Sequence, residues 1–226
     1  METKGITDMR NLRVGLLVFL SMLWAGAVWA GQVAPVPQTG QTTCYDLITS
    51  AELFSCVDTG QDGELQSGLT LPTPRFTDKG DGTIKDNLTG LIWLKNAHCV
   101  IDLNWENALD FVKNLNAGRI VTPQLDCGDT SGRRGNSQTD WRLPNIREML
   151  SLIDFAFSSP AISNTEGTGS ATAGDPFTNL QPTVYWTSTT SAGVADHAWV
   201  VDVTDGIIGF DVKNTLHPIT AVRGGR

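Results

Sequence analysis

Beyond residue 30 this chain has no second long hydrophobic run, no Cys-x-x-Cys pair, no Gly-x-Ser-x-Gly turn and no cluster of basic residues. Each absence excludes something. Without another apolar stretch of about 20 residues, no membrane-spanning helix is expected in that portion. Without closely spaced cysteines, a structural zinc site has no obvious ligand set. Only three histidines, His98, His197 and His217, are present, and no nucleophile elbow accompanies them, which speaks against a Ser-His-Asp hydrolase. Strands and helices do not alternate in βαβ fashion, so a nucleotide-binding parallel sheet is not expected.

The basic residues are as telling by their scatter as by their number. Setting aside residues 1–30 removes Lys4, Arg10 and Arg13 from 16 basic residues and Glu2 and Asp8 from 24 acidic ones, leaving 13 against 22. Nucleic-acid binding rests on clustered Lys and Arg that neutralise phosphates, so nucleic acid is excluded as an expected partner. The one basic pair, Arg133-Arg134, sits in the polar run GDTSGRRGNSQ and reads as a solvated loop.

What is present begins with an export signal. Lys4, Arg10 and Arg13 precede an uncharged run from Val14 to Val28 that ends in Val28-Trp29-Ala30, so residues 1–30 read as a signal peptide. Localisation is then periplasmic, cell-surface or secreted. Residues 31–43, GQVAPVPQTGQTT, read as a flexible, exposed leader, and residues 44–74 as an extended arm. All four cysteines lie in the exported portion, where an even count favours disulfides. Three pairings are open; Cys44 with Cys56 and Cys99 with Cys127 is the preferred one, because each closes a modest local loop.

Residues 75–226 form the main domain. Asp81-Gly82 supplies turn chemistry for a hairpin, and Asn87 to Gly90 turns again before Leu91-Ile92-Trp93-Leu94. Asn104 caps a helix whose apolar positions Trp105, Ala108, Leu109, Val112 and Leu115 share one face, with Gly118 at its end. A second helix is expected with Pro144 in its first turn and Ile146, Met149, Leu150 and Ile153 on its apolar face. Residues 158–183 read as a long irregular loop. The last third is β: Tyr185–Thr189, then Ala198–Val203 and Ile207–Asp211 about Asp205-Gly206, then Ile219–Arg223. The fold class is therefore α+β.

The stretches RFTDKGDGTIKDNLTGLIWLKNAHC, DWRLPNIREMLSLID, YWTSTT, AWVVD and the terminal AVRGG together resemble the Lcl C-terminal domain family, named for the terminal domain of a bacterial collagen-like adhesin. That resemblance implies a C-type lectin-like domain, related also to formylglycine-generating-enzyme-like folds, with two helices and twisted antiparallel strands, preceded here by the disulfide-tied arm. It also implies adhesion or glycan recognition more than catalysis, with a glycan or a surface protein as partner. The usual calcium-sugar motifs of C-type lectins are missing: the nearest match is Gln181-Pro182-Thr183, and Trp-Asn-Asp is absent.

Two acidic runs are candidate calcium sites. Asp58, Asp62 and Glu64 alternate with glycines, and Asp78, Asp81 and Asp86 crowd a turn, offering hard oxygen ligands. Neither matches an EF-hand loop, and tight turns call for the same residues, so calcium is a candidate cofactor that no motif requires. No catalytic residue is expected. His197 beside Asp196 reads as a strand-edge histidine, and Trp93, Trp141, Trp186 and Trp199 read as core. Arg142 and Glu148 read as polar anchors at a helix start. Binding groups are expected instead from the 158–183 loop and the turns at Ser191-Ala192-Gly193 and Asn214-Thr215. An enzyme acting on envelope polymers and a structural envelope component are the alternative readings.

Overall fold

Two small antiparallel sheets and three helical segments make up the described residues of the computed structural model, 36–46, 48–118, 127 and 138–224. Residues 1–30, where a signal peptide is expected, lie outside them, as do Arg133 and Arg134. The first sheet begins with β1 (Phe76–Asp78) and β2 (Thr83–Asp86), paired so that Phe76 faces Asp86 and Asp78 faces Ile84. Gly80 and Gly82 take positive φ in the connection, while Asp78 and Asp81 accept the N–H groups of Gly80 and Thr83. β3 (Ile92–Leu94) pairs with β2. Its other edge is taken by β7 (Val222–Arg223) from the far end of the chain.

The second sheet is a meander of β4 (Val184–Thr190), β5 (His197–Asp202) and β6 (Ile208–Val212). Gly206, at φ +83°, closes the β5–β6 hairpin with its N–H on the Asp202 carbonyl. Between the β3 and β4 segments of the chain, α2 (Trp105–Asn116) is capped by Asn104, which accepts the Asn107 N–H at 3.0 Å. Ala108, Val112 and Leu115 are buried on its inner face, as the spacing predicts.

The second helix differs from its sequence pattern. α3 (Ile146–Leu150) is only five residues long, capped by Asn145 and Glu148 in a reciprocal capping box. Pro144 lies before the cap, its carbonyl accepting the Ser188 N–H at 2.8 Å. Ile153 continues the apolar spacing but not the helix, because it enters a bridge with Ile162.

Alternation along the strands divides the core in two. Trp93, Tyr185 and Val201 join Phe76, Met149, Leu152 and Ile162 in one cluster. Their chain neighbours Leu94, Trp186 and Val200 point the other way, into a second cluster with Ala108, Val112, Leu115 and Trp141. The Arg75–Asp86 ion pair, 3.2 Å long and 4% and 0% exposed, sits beside the first cluster. Cys44 is bonded to Cys56 and Cys99 to Cys127.

Two segments expected to be irregular are tied down. The described part of the leader, 36–43, is hydrogen-bonded to the arm: Gln38 N–H donates to the Leu69 carbonyl at 2.9 Å, and Leu69 N–H to the Val36 carbonyl at 2.8 Å. The Thr39 carbonyl accepts the Phe155 N–H from the main domain, also at 2.8 Å. The arm carries a helical turn, α1 (Asp62–Leu65), where the sequence reads only an acidic turn. The 158–183 loop holds bridges Ser163–Ser170, Thr172–Asp175 and Thr178–Asn96, and it buries Ala161, Ile162 and Phe177 in or beside the core.

Candidate functional site

β6 is the open edge of its sheet, and its side chains alternate between faces. Ile208, Phe210 and Val212 point one way, opposite Val201, Trp199 and His197 on β5. Val201 is covered by the first core cluster, but the cover does not extend along the strand. Phe210 is 52% exposed, and Ile208 and Val212 are open beside it. Trp199 is half-buried and belongs to neither core cluster, unlike Trp93, Trp141 and Trp186. The expectation of a core role is met only in part for Trp199, which lies on the same strand face as the exposed Phe210 and packs its ring against it.

The three rings on this face lock one another edge to face. Trp199 and Phe210 have centroids 5.8 Å apart at 79°, and His197 and Phe210 are 5.6 Å apart at 72°. The His197 Nδ1 to Asp196 Oδ1 contact, at 2.8 Å, fixes the imidazole and holds the Asp196 carboxyl below the ordinary carboxylate range. The same end of the sheet carries both expected turns. Ser191 N–H bonds the His197 carbonyl, and the Thr215 N–H bonds the Val212 carbonyl. Asp211 accepts the Val212 N–H at 2.7 Å, which blunts that end of the edge.

The 158–183 loop offers a separate concavity of 310 Å³, lined by Pro160, Ala171, Thr172, Asn179 and Gln181 among others, with no charged side chain among the described residues. Asn179 is held there by its amide, which donates to Asn96 at 3.1 Å. The loop thus does bring polar groups to one hollow, although its own bridges make it a fixed wall.

The acidic residues are placed otherwise. Glu64 accepts the N–H groups of Asp58 and Gly60 at 2.8 Å, which holds its carboxyl below the ordinary range, Gly60 contributing most. Asp62 turns away to accept the Thr39 hydroxyl. Asp78 pairs with Lys95 at 2.6 Å, and that bond, with the Gly80 N–H, lowers its pKa. Asp81 accepts from Thr83, and Asp86 is buried against Arg75, Leu88 and Thr89. Neither run converges: among the described residues no group of three or more His, Cys, Asp or Glu is arranged to hold a metal ion. These carboxylates do the work of turns and of two ion pairs, Asp78–Lys95 and Asp86–Arg75.

Each histidine is paired with an aspartate and not with a nucleophile. His98 contacts Asp102 at 3.0 Å, and His217 contacts Asp211 at 2.9 Å. Arg142 and Glu148 are bonded to each other, and Arg142 also donates to the Gly224 carbonyl at 3.0 Å, so the pair fastens the start of α3 to the chain's end. The aromatic face itself had a signal in the sequence. The hairpin about Asp205-Gly206 makes Trp199 and Phe210 neighbours on adjacent strands, but their direct pairing follows from the loop 203–206 closed by the Asp202 N–H on the Ile207 carbonyl; a two-residue turn at Asp205-Gly206 would set Trp199 opposite Val212.

A model of the family described as the Lcl C-terminal domain matches residues 82–223, more than half of the chain and every strand from β2 to β7. No curated protein matches the chain. Among the described residues, no helix is long and apolar enough to cross a membrane.

Proposed function

The chain belongs to the Lcl C-terminal domain family, and from that premise we propose that it is an exported, non-catalytic binding module of C-type lectin-like fold that recognises glycans in surface adhesion. The observation that carries the reading is the ring-bearing face of β5 and β6. Aromatic rings presented edge to face expose π-surface on which the C–H-bearing side of a sugar ring stacks, while hydroxyls at its rim reach polar groups such as Asp196. Two disulfides fit an oxidising compartment.

Glycan-array binding and retention on glycan-coated surfaces test the proposal. Trp199→Ala together with Phe210→Ala should weaken any glycan bound by at least about tenfold, equivalent to about 1.4 kcal/mol, with the melting temperature little changed. Failure of the native protein to bind any glycan or surface, or an undiminished affinity in the double variant, overturns it.

A further inference from the structure

We propose that the cleft between the arm and the main domain is a binding site for a small organic ammonium ion, with Asp154 as its counter-ion. This cleft encloses 180 Å³ and is distinct from the aromatic face; Gln38, Thr39, Gln41 and Gln66 line it from the arm side, Asp154 and Phe157 from the domain.

Its side chains offer several acceptors. The side-chain amide of Gln38 donates to the Gln66 carbonyl, that of Gln41 to the Phe155 carbonyl at 3.3 Å, and that of Gln66 to the Gly63 carbonyl at 3.1 Å. Each amide nitrogen gives one of its two N–H groups to a backbone oxygen, which orients the group and leaves three amide oxygens as acceptors. The Thr39 hydroxyl is likewise committed as a donor, to Asp62. An ammonium group has three donors and no acceptor, so it complements such a lining.

Charge points the same way. Arg75 faces two carboxylates, Asp86 and Asp154, so the trio carries a net charge of about −1. Asp86 is the satisfied member: it accepts from the Arg75 guanidinium, the Leu88 N–H and the Thr89 hydroxyl. Asp154, 5% exposed, accepts only the Ala156 N–H, at 3.0 Å on Oδ1, and no described residue donates to its Oδ2. Burial raises its pKa against the opposing pull of Ala156 and Arg75, the mark of a carboxylate short of partners. Among the described residues no Lys or Arg lines the cleft, and the half-buried Phe157 ring adds a face that favours a cation.

The arm is built to close over this carboxylate. Gly40 takes φ +88°, and a Cβ there would lie 2.0 Å from Asp154 Oδ1. Only glycine lets the chain pass so close. The site therefore exists only with the arm docked, which gives the Cys44–Cys56 arm a function beyond tethering.

The test is a titration of the full exported chain, both disulfides formed, followed by the side-chain amide resonances of Gln38, Gln41 and Gln66. Ethanolammonium chloride is the probe, ethylene glycol its uncharged counterpart, and potassium chloride the ionic control. Saturable shifts with ethanolammonium alone, weakened at least about tenfold in Asp154→Asn, are expected. A neutral hydroxyl site would respond equally to ethylene glycol, and simple screening equally to potassium chloride; either result overturns the proposal, as does undiminished binding in Asp154→Asn. Should that variant fold poorly, Gln41→Leu takes its place, with the same loss expected and the same reading of undiminished binding.

Discussion

Asp154 is the residue whose local environment is least explained by stability. Desolvation raises its folded-state pKa above that of the unfolded chain, so between the two values the folded protein holds the extra proton. Its destabilising contribution is therefore fully present above the folded pKa and is relieved as pH falls through that value towards the ordinary one. Asp154→Asn, which removes the charge, should raise the urea midpoint at neutral pH and lose that advantage at a pH below the ordinary carboxylate range. A midpoint lowered at neutral pH would mean that the pull of Arg75 outweighs burial. Asp86 is the opposite case. With Asp86→Ala, Arg75 stays buried without the carboxylate it is hydrogen-bonded to, and a loss of about 3–5 kcal/mol is expected in equilibrium denaturation. The two carboxylates share one cation, and opposite outcomes for the two variants distinguish structural from functional charge.

At the scale of elements, the short helix α3 depends on its ends more than on its length. A five-residue segment cannot sustain itself by propagation, so the capping box and the packing of Met149 hold it. Asn145→Ala removes the acceptor of two N–H groups and should cost about 1 kcal/mol, read as a lowered denaturation midpoint with unchanged slope. The same element marks a limit of periodicity. Ile146, Met149, Leu150 and Ile153 fit a helix of two turns or more, yet the backbone leaves the helix at Ser151 because Asp154 N–H and Ile153 are claimed by the chain around Ile162. Hairpins were more legible. Asp81-Gly82 and Asp205-Gly206 place turns where positive φ is needed, and those requirements are local.

Across the whole molecule, the two ends of the main domain share one sheet. β7 completes the edge of β3, Arg142 N–H and the Val222 carbonyl bond at 2.9 Å, and Arg142 reaches Gly224. The domain is closed by partners some 80 residues or more apart in sequence, so its fold forms as a unit, with the two core clusters on opposite sides of the same strands. The arm is added to that unit by the Thr39–Phe155 bond and by Gly40 over Asp154. One face of the second sheet is left uncovered at Trp199 and Phe210, and one cleft is enclosed where arm meets domain; these two places carry the proposed binding functions.

Although the sequence leaves three cysteine pairings open and points to Pro144, not Asn145, at the start of α3, it determined by itself what is local: the turns, the cap of α2 and the face of α2 that is buried. These follow from spacing within a dozen or so residues, where backbone geometry leaves few alternatives. The tertiary structure decided the rest. That Asp78 and Asp86 are drawn into ion pairs with Lys95 and Arg75, that Trp199 is only half-buried while Trp186 is buried, and that Gly40 lies on Asp154 all depend on what a distant segment places opposite each side chain. No residue type or spacing encodes that opposition, because it arises only when the whole chain has closed on itself.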